Sequence, residues 1–274
     1  MNNKPNCNLL DNWYFVGGGM TGKFPVNQRG LTSYGPTTAN YNSIDRWLVN
    51  SGTMSPETDG LNLTGPGIII QRFENLDLSD GEYVFSCLTA GGCFSAPLTD
   101  HYVACGPFNV TRDTSTDNLY VSFQSTTSVK LKAVKLERGT TQTLAHQDED
   151  GNWVLNEIPD YGEELAKCQR YLLQLNPMRT TVAIIGTLLK SGTNSWYLMI
   201  NTPVTMRTTP GLLAGGELHA EIIPGGGILT VNNIHSMAAG MVAYNVSVPE
   251  NGSQSTSGIA YIDGSSSVLL TAEL

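Results

Sequence analysis

The sequence predicts an all-β protein built from two antiparallel β-sandwich domains joined by one α-helix. Three observations carry this. Short runs that alternate apolar and polar residues recur along the chain, punctuated by Gly, Asn, Ser, Asp and Pro. Only 14% of residues are charged, so the polar surface must come largely from Ser, Thr and Asn, as on sheets with many turns. One stretch, 159–175, departs from the alternation and repeats its apolar residues at helical spacing.

In the first half the strand candidates are 68–73, 83–88, 102–105, 119–123 and 129–136. The last is the clearest. Val129, Leu131, Ala133 and Val134 oppose Lys130, Lys132 and Lys135, which predicts one buried and one wet face with a bulge near Val134. In the helix, Asp160 is placed to cap and Glu163 to answer it, while Leu165, Cys168, Leu172 and Leu175 form an apolar stripe that Asn176-Pro177 ends. Beyond it the candidates are 181–189, 196–201, 218–223, 228–231, 241–248, 259–262 and 268–270. A hairpin loop is expected at 191–194 and wider turns at 224–227 and 251–253. The 274 residues, 40% of them apolar, suffice for two cores. The expected organisation is one β domain over 1–148, a linker and connecting helix over 149–177, and a C-terminal β-sandwich over 178–274.

A net charge of −9 argues against nucleic acid and anionic membranes as partners, because both require clustered Lys and Arg. No run approaches the roughly 20 apolar residues of a spanning helix, and no apolar h-region follows Met1, so cytoplasmic synthesis without a signal peptide is expected. Cys7, Cys87, Cys93, Cys105 and Cys168 are odd in number and lack metal-ligand spacing; they read mainly as buried thiols. Cys87 and Cys93 flank the turn at 90–92 and offer a disulfide across it in an oxidising medium. After Leu175 the only basic residues are Arg179, Lys190 and Arg207, and the only acidic ones Glu217, Glu221, Glu250, Asp263 and Glu273. A β domain this neutral suits a closed homo-oligomer, since interface cores are depleted in charge.

The segments Asn8-Leu9-Leu10-Asp11-Asn12-Trp13-Tyr14-Phe15, Pro25-Val26-Asn27-Gln28-Arg29-Gly30 and Tyr41-Asn42-Ser43-Ile44-Asp45-Arg46-Trp47 resemble the N-terminal signature of phage and prophage tail-appendage proteins. Their jelly-roll module is similar to carbohydrate-binding modules, and the resemblance implies such a jelly roll over 1–148 and an oligomerisation or receptor-binding role for 178–274. Val134-Lys135-Leu136-Glu137-Arg138-Gly139-Thr140 resembles its closing strand, and Glu164-Leu165-Ala166-Lys167-Cys168-Gln169-Arg170-Tyr171 the segment after it. The likeness extends more weakly through 202–210 and 269–274, while 16–23 reads as an insertion between the first two motifs. The resemblance implies a tail fibre or receptor-binding protein of the virion, homotrimeric, binding a bacterial surface glycan or receptor alongside other virion proteins, and not an enzyme. A glycan depolymerase and a non-binding structural collar or adaptor are the alternatives.

Sugar binding needs an aromatic platform with polar neighbours. Tyr34 and Tyr41 flank a Gly/Pro/Thr/Asn loop, and Asp100-His101-Tyr102 stand at another turn; these five are the candidate carbohydrate-binding residues. Trp13 and Trp47 read as core, and Trp153 as a cover over the helix. Jelly rolls of this kind often hold structural calcium, but Asp148-Glu149-Asp150 alternate in direction and read as a solvated run, so no cofactor or metal is expected. His101, His146, His219 and His235 are scattered, no nucleophile motif stands in the chain, and Glu217 and Glu221 would share one strand face; no catalytic residue is assigned.

Overall fold

The computed structural model describes residues 7–36, 43–73, 81–98, 102–113, 118–123, 128–175, 182–214, 217–222, 226–248, 256–263 and 268–272. The fold is all-β, with antiparallel sheets and one helix, and the chain divides into two compact units, 1–168 and 169–273.

The first unit contains β1 (Leu48–Glu57), β2 (Gly60–Arg72), β3 (Tyr83–Thr89), β4 (Gly92–Pro97), β5 (Tyr102–Cys105), β6 (Phe108–Asp113), β7 (Asn118–Phe123) and β8 (Val129–Arg138). They form one sheet in the order β4-β3-β8-β2-β7-β6-β5, with β1 on β2. β2 changes partner along its length. Residues 61–63 bond β8 and residues 67–72 bond β7, with Gly65-Pro66 between, so a single strand serves two halves of the sheet. The far ends meet where Phe94 of β4 lies against Gly106 in the β5–β6 turn. A Cβ there would fall 2.3 Å from Phe94 Cγ, and φ is +61°, so this position admits only glycine. Inside lie Trp47, Phe15, Phe85, Phe108, Leu61 and Leu131.

β8 departs from the expected half-wet strand. Lys135 is fully buried, as are Leu136 and Glu137, because residues 143–157, including the hairpin β9 (Ala145–Gln147) and β10 (Trp153–Leu155), belong to the same unit. Lys135 Nζ donates to Thr143 Oγ1 at 3.0 Å and Glu157 Oε1 at 2.9 Å, while Glu137 accepts from the Thr143 N–H and hydroxyl. Pairing makes these buried charges tolerable. Trp153 packs its indole Nε1 over Gly92, at the β3–β4 turn.

Helix α1 (Tyr161–Gln169) starts as expected: the Glu163 N–H donates to Asp160 Oδ1 at 3.0 Å. Its buried side carries Glu164 and Cys168, and it ends before the predicted stop. Residues 172–174 form β11 (Leu172–Gln174), paired with β20 (Val268–Thr271). A short apolar run satisfies either period, and the long-range ladder decides this one.

The second unit continues with β12 (Val182–Gly192), β13 (Ser195–Asn201), β14 (Gly211–Ala214), β15 (Leu218–Ile222), β16 (Gly226–Ile228), β17 (Thr230–Ala238), β18 (Met241–Ser247) and β19 (Ser257–Asp263). A seven-stranded sheet runs β16-β15-β19-β12-β13-β18-β17, and a three-stranded sheet runs β11-β20-β14. The core between them is built from Trp196, Leu198, Val246 and Ile262 of the large sheet, with Leu173, Val268 and Leu270 of the small one. The β12–β13 hairpin turns at Thr193-Asn194, where Asn194 takes φ +55°. Among the described residues, no helix is long and apolar enough to cross a membrane.

Candidate functional site

Of the five proposed carbohydrate residues, two, Tyr34 and Tyr102, are among the described residues. Tyr34 is buried, bridged to Met54, with its hydroxyl donating to Asn27 and accepting the Leu31 N–H. Burial pushes its phenol well above the ordinary range. It offers no face to a ligand, because its position between the 27–31 turn and β1 makes it core. Tyr41, Asp100 and His101 lie outside the described residues. Tyr102 opens β5 opposite Thr111 and is 54% exposed, so its ring has a face open to stack on a sugar. Asp148 turns its carboxylate inward on its own hairpin, accepting the Asp150 and Asn152 N–H groups, which holds its pKa below the usual value.

The three N-terminal motifs and the helix converge on one buried polar knot. Asn12, at φ +50°, donates through Nδ2 to Val26 O and Asp45 O and accepts the Val26 N–H through Oδ1, all within 2.9 Å. Its own N–H donates to Glu164 Oε2 at 2.7 Å, and Trp47 Nε1 donates to Asn12 O. Arg46 pairs with Asp11 at 3.0 Å, and Gln28 Nε2 donates to Asp45 Oδ2 at 2.9 Å. Asp45 is buried, which pushes its carboxyl up to about 6 against the opposing pull of Arg29. This knot locks the N-terminal segment, the 43–47 turn and α1 together. Nearly all of it is inaccessible, so it is scaffold rather than a binding site.

A candidate surface appears instead on the side of the seven-stranded sheet that faces away from its core. Register aligns three rows on this side. Ile228, His219, Tyr261 and Ile184 follow one another across β16, β15, β19 and β12. Glu221, Ile259, Thr187, Met199 and Ala243 form the second row, and Ser257, Leu189, Tyr197, Asn245 and Asn233 the third. A bulge between Ile184 and Gly186 keeps Ile184 and Thr187 on the same side. Gly186 is required there, since a Cβ would lie 2.5 Å from Met199 O.

Val182, Ile184, Leu189 and Ile228 stay exposed, Ile184 at 64%. His219 stacks on Tyr261 with centroids 5.3 Å apart, and His235 on Tyr197 at 4.2 Å. Glu221 is the one charged residue in the three rows. Seven strands at about 4.8 Å, each giving some 15–20 Å of length, make a face of roughly 500 Å². The face mixes these exposed apolar side chains with Thr187, Ser257, Asn245 and Asn233, and exposed apolar residues clustered on one face mark a candidate interaction surface. The sequence pointed to this surface only indirectly, through the scarcity of charge after Leu175, because which residues of β12 point outward depends on the bulge.

Compared with known proteins, the chain matches no family model and no curated protein.

Proposed function

We propose that this chain is a structural appendage protein of the phage or prophage tail kind, a homotrimer that binds host-surface glycans. The observation that carries the reading is the outer side of the seven-stranded sheet. Its exposed Ile184, Leu189 and Ile228 stand in three rows that contain a single charge, Glu221. Burying such a surface against another copy is worth about 25 cal/mol for each Å² removed from water. The whole face, roughly 500 Å² by strand spacing and length, is smaller than the ~800 Å² per partner of an ordinary stable interface, so neighbouring surface would have to join it. The trimer and the tail location come from the resemblance of the 8–15, 25–30 and 41–47 segments to appendage proteins.

Glycan binding is supported by Tyr102, an exposed aromatic at a strand start in the first unit. Three copies holding one weak sugar site each would gain avidity of about 10²–10⁴ over one, so no deep pocket is needed. The test is the mass of the full chain in solution by light scattering. A mass near three times 29.5 kDa is expected, falling to that of one chain in Ile184→Asp. A wild-type monomer overturns the assembly reading. Glycan-array binding by wild type, reduced at least tenfold in Tyr102→Ala, is expected of the binding reading, and an array blank at every glycan overturns it.

A further inference from the structure

In the first unit a cavity of about 230 Å³ opens where β3 begins and β4, β6 and β8 end. One side of it is pinned by backbone bonds: the Leu98 N–H donates to Tyr83 O at 2.7 Å, and the Gly139 N–H to Glu82 O at 2.8 Å. Arg112 reaches it from the other half of the sheet. On β6 it alternates with Val110 and Phe108, both core, so it stands on the inner side of that strand at the edge of the core. Tyr102, opposite Thr111, lies on the other side of the same hairpin. The lining is mixed. Tyr83, Pro97 and Leu98 give apolar surface, while Glu82, Arg112 and Thr140 carry a carboxylate, a guanidinium and a hydroxyl.

We infer that this cavity holds one neutral hexose ring, the end sugar of a surface glycan. The inference rests on the glycan-binding reading but not on Tyr102. Size sets the number of rings. Sites for drug-sized ligands span roughly 300–1,000 Å³, so a cavity of about 230 Å³ has room for a single ring and not for a run of chain. Charge sets the class of ligand. An anion drawn to Arg112 meets Glu82, and a cation drawn to Glu82 meets Arg112, so the pair together favours a neutral ligand. A sugar hydroxyl both donates and accepts. It can therefore answer a carboxylate, which only accepts, a guanidinium, which only donates, and the Thr140 hydroxyl, which does either. The C–H face of the ring then covers Pro97 and Leu98. One ring held this way binds at about millimolar strength, which linked copies on one assembly would raise.

The experiment maps amide shifts by NMR on the deuterated full chain, titrated separately with the methyl glycosides of glucose, galactose and mannose, with glucuronate and with alanine. The expected result is that at least one neutral glycoside saturably shifts the amides of Glu82, Tyr83, Leu98, Arg112 and Thr140, and that glucuronate and alanine do not. Arg112→Gln and Thr140→Val should each weaken that glycoside by about fivefold or more. If either variant fails to fold by circular dichroism, the wild-type map decides alone. The inference is overturned if no neutral glycoside moves those amides well above millimolar concentration, or if glucuronate or alanine moves them more strongly than every glycoside. Shifts that gather around Tyr102 instead overturn the cavity and leave the glycan-binding reading standing. No shift anywhere, together with a blank glycan array, removes both.

Discussion

In the first unit the chain covers both sides of β8: residues 143–157 belong to its own unit and bury Lys135 and Glu137. In the second unit β12 keeps Val182, Ile184 and Leu189 exposed on one side while Leu188 and Ile185 fill the core on the other. The contrast shows two ways to finish a sheet. Covering a face with the chain's own segments brings polar groups inside, and each must then find a partner. Leaving it open requires few charges, and such a face is completed only by association. The first unit should therefore be fragile at buried polar positions, and the second at surface apolar ones only when assembled.

The largest effect is expected at Asn12. Asn12→Ala removes three buried hydrogen bonds and leaves the Val26 N–H unpaired, at a residue whose φ of +50° alanine adopts poorly. A loss of about 3–5 kcal/mol is expected. Trp13, Trp47 and Trp153 belong to the first unit and Trp196 to the second, so tryptophan fluorescence during urea unfolding in a Trp196→Phe background reads the first unit. A shift below about 1 kcal/mol would mean that the knot is not what holds the N-terminal segment.

The second effect is one of pH. Asp45 has a folded pKa of about 6 against an ordinary 3.8, so the folded state holds the proton more tightly than the unfolded chain and protonation favours folding. The stabilisation is fully present below about pH 4 and is lost as pH rises through 6. The span corresponds to about 3 kcal/mol at most. Wild type minus Asp45→Asn isolates it: the difference in unfolding free energy should rise toward the wild type as pH falls from 7 to 4. A flat difference would show that Arg29 and Gln28 already stabilise the carboxylate fully.

Much of the strand pattern was legible because alternation survives wherever one face is wet, as in β13 and β19. The buried Lys135 was not legible, because a lysine at an alternate position looks solvent-facing until a segment 8 to 22 residues away in sequence supplies Thr143 and Glu157. The end of α1 failed for a similar reason: Leu172 and Leu175 fit a helical stripe, and the pairing with β20 is remote. At the candidate sites, Tyr34 had the composition of a binding loop but lies in the core. The outer face of β12 was hidden by a one-residue bulge that shifts which residues point out.

That bulge provides the third prediction. Gly186→Ala pushes a Cβ against Met199 O and the Leu198 side chain, so β12 and β13 must separate or the bulge must move. A cost of about 1–3 kcal/mol in the second unit is expected, from overpacking. Amide exchange of β12 and β13 should quicken while β3 and β8 remain protected. Equal protection throughout would show that the sheet absorbs the methyl elsewhere.

The smallest effect discriminates most sharply between the units. Ile184→Thr keeps a β-branched side chain at a position 64% exposed, whereas Val134→Thr places a hydroxyl in the closed core. At concentrations where the chain is dissociated, Ile184→Thr should change the unfolding free energy by under about 0.5 kcal/mol, and Val134→Thr by about 1–3 kcal/mol. Raising the protein concentration should then separate them further. Partner binding stabilises only the state that binds, so the wild-type melting temperature should climb with concentration while that of Ile184→Thr climbs less. Val134→Thr should follow the wild-type slope from a lower start, because its defect lies inside one chain. If Ile184→Thr instead costs as much as Val134→Thr in the dissociated chain, the outer side of β12 is completed within the protomer, and the contrast between the two units fails.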